Sequence, residues 1–246
     1  MPNEDCKEFG IPSATTYSPP CEWDSEVVDA RHVGKSMAKT LGLFQTSVLP
    51  VPPDKNAELA ELCYLSALMV LRPACEREIN QEKSDAYLKL CKVVEHHRRV
   101  ELPLLRAFAL DCFKTFASVV MVEKARFNRA RPVQVDKSFA PMFCVGHPAY
   151  PSGHATQSHL VALAISMVVK DPAIQSEVFS LAHMISFRRE IAGVHFPSDS
   201  RAGMILAQHI LARLISNEQA DFVNGLKAAT EEYSKCPVFD EGRRDA

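Results

Sequence analysis

From Lys55 onward, apolar residues recur at i, i+3, i+4 spacing nearly to the end of the chain, and strand-like alternation is almost absent. This periodicity predicts an all-α fold: a compact single-domain bundle of about seven or eight helices. Helices are expected near Ser25–Leu41, Ala57–Val70, Glu76–Arg99, Leu102–Phe127, Ser152–Val169, Ala173–Ile191, Asp199–Ile215 and Glu218–Tyr233. In Ala57–Val70 the core stripe is expected to be Leu59, Leu62, Cys63, Ala67 and Val70. Residues 1–54 read as an arm with a short helix, closed by the breaker-rich linker Val48-Leu49-Pro50-Val51-Pro52-Pro53. Residues 55–238 form the helical domain, and residues 239–246 a charged tail. No period of repeat-protein length is present.

A chain of 246 residues can bury a sizeable core. Its formal charge of -2 gives no bulk attraction to nucleic acid or to an anionic membrane. The most apolar stretch, Leu160 to Val169, stops at Lys170-Asp171-Pro172, too short for a membrane span, so a buried core helix is expected. The polar, acidic start lacks the features of a secretory signal. The expected location is cytoplasmic if the chain is full length, and periplasmic or secreted if a signal was removed. The eight cysteines form no CxxC pair, and Cys63, Cys91 and Cys112 are expected as buried free thiols. His159, His183 and His209 lie in apolar helical patterns and read as core or interface residues, whereas His96 and His97 read as a polar helix end.

Three segments carry chemistry. In KARFNRARP, Lys124 and Arg131 are seven residues apart, about 10 Å along a helix axis and on one face. Pro132 disfavours helix at Arg131, which is expected to leave the helix and curl toward Lys124. Arg126 and Arg129 read as a solvated basic helix end. In AYPSGHAT, Ser152 is an N-cap before an apolar helix, whose free N–H groups suit an anion. Gly153 allows close approach there, and His154 sits at the rim. In RREIAGVHFPSDS a helix ends near Gly193, and His195 follows in the turn. Asp199, four residues on, can hold one ring nitrogen of His195 and leave the other free to attack. A capped helix with an incidental histidine, and a helix–turn–helix junction with a capping Asp, are the bland readings of the last two segments.

Together the segments read K-x6-R-P, P-S-G-H and R-x5-H-x3-D, as Lys124–Arg131–Pro132, Pro151–Ser152–Gly153–His154 and Arg189–His195–Asp199. This signature resembles that of the type 2 phosphatidic acid phosphatase superfamily, which includes class A acid phosphatases, membrane lipid phosphatases and vanadium-dependent haloperoxidases. It covers residues 124–199. A looser likeness to the soluble bacterial class A acid phosphatases continues to about Tyr233. Arg188 stands where the family often has Ser, and Phe196 keeps the aromatic residue after the histidine.

The resemblance implies a metal-independent phosphatase for monoesters or diphosphates. Lys124, Arg131 and Arg189 would hold phosphate oxygens, and Ser152 and the Gly153 N–H would complete the cradle. His195 would form a phosphohistidine, His154 would serve as general acid and base, and Asp199 would orient His195. No cofactor is required, and vanadate would inhibit. The partner implied is a small phosphorylated substrate, with no nucleic acid, no membrane span and a possible homo-oligomer. The alternative is a vanadium-dependent haloperoxidase, in which the same pocket holds vanadate as cofactor. A Ser-His-Asp esterase using Ser152 lacks the G-x-S-x-G elbow. A non-catalytic helical anion-binding module is the remaining class.

Overall fold

A computed structural model describes residues 36, 39, 41, 42 and 49–237. The expected arm, most of the expected Ser25–Leu41 helix and the charged tail lie outside the described residues. Among those described, α1 spans Lys55–Leu68 and runs through a 3-10 turn, Met69–Leu71, into α2, Arg72–Arg98. Then come α3 (Pro103–Thr115), α4 (Ala117–Phe127), the single turn α5 (Pro132–Val135), α6 (Gly153–Val168), α7 (Pro172–Ile191), α8 (Pro197–Ser216) and α9 (Ala220–Ser234). No strand is present among the described residues. The fold is all-α, as the periodicity predicts.

Helix α6 is the hub, with α2, α3, α7, α8 and α9 all packed on it. Its buried residues, including Leu160, Val161, Ala164, Ile165 and Val168, lie on every side, the signature of a core helix. Two buried hydroxyls are satisfied locally, Thr156 Oγ1 by the Ser152 carbonyl and Ser158 Oγ by the His154 carbonyl. No helix among the described residues is long and apolar enough to cross a membrane.

Two glycines set the geometry around the site. Gly193 ends α7 at φ +75°, and a Cβ there would lie 2.6 Å from both Arg72 Nη2 and Phe139 Cε1. Gly203 lets α8 cross the start of α6, since a Cβ there would lie 2.7 Å from the Ser152 carbonyl oxygen. This close crossing brings the third sequence segment against the second.

Several expectations need correction. The segment Leu102–Phe127 is not one helix. It breaks at Phe116, where the Ser118 hydroxyl bonds the Thr115 carbonyl 2.9 Å away and competes with the helical ladder. The core stripe of α1 is also different: Leu59 is 44% and Val70 80% exposed, and Cys63 is exposed too. The buried face is Glu58, Leu62 and Leu65, because α1 docks through carboxylates onto a buried arginine. Cys91 and Cys112 are buried free thiols as expected, and burial pushes both thiols up to about 12. His183 is exposed rather than buried.

Candidate active site

The three segments converge on one cavity of about 360 Å³. Lys124, Arg131, Gly153, His154, Arg189 and His195 line it, together with His147. Each arrives by a local device. Lys124 lies in the last turn of α4, which ends when Asn128 adopts a left-handed conformation at φ 45°. Arg131 is extended, at φ -77° and ψ 158°, as the residue before Pro132 must tend to be. Arg189 occupies the last turn of α7, and His195 follows Gly193 in the turn to α8.

The cavity's cations are buried. Lys124 Nζ donates to the Pro148 carbonyl at 2.7 Å and the Ala149 carbonyl at 3.0 Å. Burial, then the nearby Arg131 guanidinium, pulls the ammonium well below its ordinary pKa, and Asp199 opposes this. Arg131 bonds the carbonyls of His147 and Val194, and its Nη1 lies 3.0 Å from His195 Nε2. Arg189 Nη2 donates to the Ile79 carbonyl at 2.9 Å and to Glu82 Oε2 at 3.2 Å, whereas its Nε and Nη1 are buried with no hydrogen-bond partner among the described residues.

His195 Nδ1 lies 3.2 Å from Asp199 Oδ2, the contact expected from their spacing. The ring's pKa is well below the ordinary value because of burial, then Arg131 and Lys124. It is therefore neutral, with Nδ1–H facing the carboxylate and the Nε2 lone pair facing Arg131. His154 Nε2 lies 3.1 Å from the Glu82 carbonyl. Burial, then Arg189, lowers this histidine to about 3, so its ring is neutral in the empty cavity. The Glu82 carbonyl is exposed to it by a kink in α2 at Asp85, where φ is -113° and ψ 17°.

Ser152 is placed differently from expectation. It is fully buried and does not line the cavity; its hydroxyl caps α6 at the Ala155 N–H, and its own N–H bonds the Asp199 carbonyl at 3.0 Å. The basic helix end also needs correction. Arg129 is 0% exposed and bonds Asp199 Oδ1 at 2.7 Å, while the Arg126 side chain is only 12% exposed and faces Glu123. The α4 end points into the protein, so charge alone was a poor guide to solvation there.

Some site residues escaped the sequence reading. His147 Nδ1 lies 3.0 Å from Arg131 Nη2; its position four residues before Pro151, in the loop leading to α6, was the available signal. Glu82, fully buried on α2, pairs with Arg189 and with Arg188 at 2.5 Å. The Arg at 188 thus has a dedicated counter-ion. Ala117, Val120, Met121, Phe143 and Val145 form an apolar wall opposite the cations.

Residues 103–220 match the PAP2 superfamily family model. The chain is 32% identical over 88 residues to an acid phosphatase of Zymomonas mobilis subsp. mobilis, covering 36% of this chain and 32% of that protein. It is 26% identical over 103 residues to a vanadium-dependent bromoperoxidase of Ascophyllum nodosum, covering 31% of this chain and 18% of that protein. The alignments thus span a third or less of the length of these relatives. The match to the PAP2 superfamily runs through every cation and histidine that lines the cavity.

Proposed function

We propose that the chain is a metal-independent phosphatase that hydrolyses phosphate monoesters, and small diphosphates, through a phosphohistidine at His195. The observation that carries this reading is a buried cationic cavity facing a neutral histidine, with the Nε and Nη1 donors of Arg189 left without partners among the described residues. A buried cation cluster costs free energy unless an anion completes it. A phosphoryl group supplies that charge, and its equatorial oxygens suit the guanidinium forks.

The chemistry follows from proton positions. As phosphate oxygens take over the Arg131 donors, the His195 Nε2 lone pair is freed. It attacks phosphorus, and the P–O electrons leave on the alcohol oxygen. Asp199 stabilises the imidazolium that forms. His154 supplies a proton to the leaving oxygen, then takes one from the water that attacks the N–P bond, whose electrons return to Nε2.

His154 holds no proton above about pH 3 in the empty cavity, so that proton must arrive with the substrate. A phosphate ester carries it below its second ionisation, near pH 6. Its folded pKa being lowered, His154 contributes no protonated form to lose at neutral pH; the ester sets the limb. The expected kcat/KM therefore falls about tenfold per pH unit above about pH 6. A profile flat to about pH 9 contradicts the assignment.

The apolar wall is the surface available to the leaving group, and it favours aryl or alkyl esters over sugar phosphates. The 26% match to a bromoperoxidase supports a second reading, in which Lys124, Arg131 and Arg189 hold the oxygens of vanadate and His195 ligates it. Bound vanadate would activate peroxide for halide oxidation.

One experiment separates the readings. Purified protein is assayed with p-nitrophenyl phosphate between about pH 4 and 8, with vanadate as competitor, and is acid-quenched to trap phosphoprotein. Bromide oxidation with peroxide and vanadate is assayed in parallel. Hydrolysis, vanadate inhibition and a trapped phosphohistidine are expected. Absence of both hydrolysis and vanadate binding overturns the enzyme reading.

A further inference from the structure

Arg129 stands two residues before Arg131, yet its guanidinium turns away from the cavity into the protein. We propose that Arg129 is a positioning residue for the His195–Asp199 pair, itself held by two carboxylates of α1. The inference rests on the reading of His195 as the nucleophile. Arg129 Nη1 donates to Asp199 Oδ1 at 2.7 Å and to Ser198 Oγ at 2.6 Å. Its Nε reaches Glu58 Oε1 at 3.2 Å, its Nη2 reaches Glu61 Oε2 at 3.2 Å, and the group lies 4.1 Å over the Phe196 ring. Every partner outside α1 belongs to the turn that directly follows His195.

The two oxygens of Asp199 have separate duties. Oδ1 faces Arg129, while Oδ2 faces His195 Nδ1 and accepts from the Phe196 N–H at 2.9 Å. With both oxygens committed, the carboxylate cannot swing away from the ring. Glu61 fixes the same turn from outside, accepting from the Ser198 N–H at 2.8 Å and the Ser198 hydroxyl at 2.6 Å. A carboxylate from α1 thus caps the start of α8, the helix that carries Asp199.

Charge gives Arg129 a second effect. Burial alone would lower its pKa, but Asp199, Glu61 and Glu58 outweigh it and keep the guanidinium charged. The other groups facing Asp199 are Lys124 from α4, Tyr150 from the loop before α6 and Glu190 from α7. Without Arg129, the Asp199 charge would bear more heavily on His195. The imidazolium would be favoured, and the Nε2 lone pair needed for attack would be lost in acid.

The test uses the full chain with Arg129→Met, Arg129→Lys and Glu61→Gln. The first readout needs no turnover: nitrogen NMR of the His195 ring, titrated through about pH 6. The wild type should show a neutral ring protonated on Nδ1, and Arg129→Met a ring that takes up its second proton at higher pH than the wild type. The second readout is kinetic. In Arg129→Met, kcat for p-nitrophenyl phosphate should fall about 10- to 100-fold, with vanadate inhibition within about threefold of wild type. An acid limb should also appear in its pH profile. Arg129→Lys should recover part of the rate. If Arg129→Met does not fold, Arg129→Lys and Glu61→Gln should show the same limb with smaller losses.

An unchanged His195 ring and pH profile in Arg129→Lys and Glu61→Gln overturns the proposal. So does a loss of kcat matched by an equal loss of vanadate binding, which marks Arg129 as structural only. A wild type that hydrolyses no phosphate ester removes the proposed function instead, and the ring spectra still decide the role of Arg129.

Discussion

The segment from Pro103 through α8 and the helical pair α1–α2 contribute to the site in different ways. The first, which carries the family match, supplies every cation and histidine that lines the cavity. The second lies outside that match and supplies the carboxylates behind them: Glu58 and Glu61 on Arg129, and Glu82 on Arg188 and Arg189. Arg72, at the start of α2, also bonds the Ile191 carbonyl at 2.9 Å, tying down the end of α7. The difference teaches that a buried cationic cavity has two sides to its electrostatics. Cations gathered around an empty cavity repel one another, and fixed acids behind them hold the cluster together until an anion arrives.

The comparison breaks most sharply at His195. His195→Ala should reduce turnover by about ten-thousand-fold with the fold intact, measured by steady-state kinetics and circular dichroism. Near-normal turnover removes it as nucleophile.

Glu82→Gln tests the carboxylate side. It leaves the buried Arg189 and the half-buried Arg188 short of a counter-ion and should cost about 3 kcal/mol of stability, read by denaturant unfolding. Phosphate should recover part of that loss, so its thermal shift should exceed the wild-type shift. Equal shifts in both proteins would detach α2 from anion binding.

In single-turnover phosphorylation of the enzyme, His154→Ala should slow alkyl phosphates about 100-fold while sparing p-nitrophenyl phosphate, whose leaving group needs no proton. Equal losses on both substrates would argue against proton transfer by His154. The smallest effect is expected on the outer face of α2: Arg77→Ala removes a water-screened pair with Glu78 and should leave the denaturant midpoint unchanged.

Much of this site was readable in the residues, because its parts lie in short segments with their own local geometry. The His195–Asp199 contact follows from a four-residue spacing at a helix start. Arg131 leaves its helix because Pro132 follows it. Arg129 shows where such reading stops. Beside Lys124, Arg126 and Arg131 it looked like one more solvated cation, yet its hydrogen-bond partners stand 68 to 71 residues away along the chain. Ser152 looked like a phosphate donor because it caps a helix, but the α6–α8 crossing at Gly203 places it behind the cavity wall.

By itself the sequence determined the helical class, the three segments that meet at the cavity and the pairing of His195 with Asp199. Each of these depends on contacts within a few residues, where backbone geometry leaves little choice. Only the tertiary structure decided which acids neutralise which arginines, which side of α1 is buried and which apolar residues line the cavity. Those pairings join residues far apart in the chain, and burial strengthens them by removing the water that would otherwise screen every charge equally.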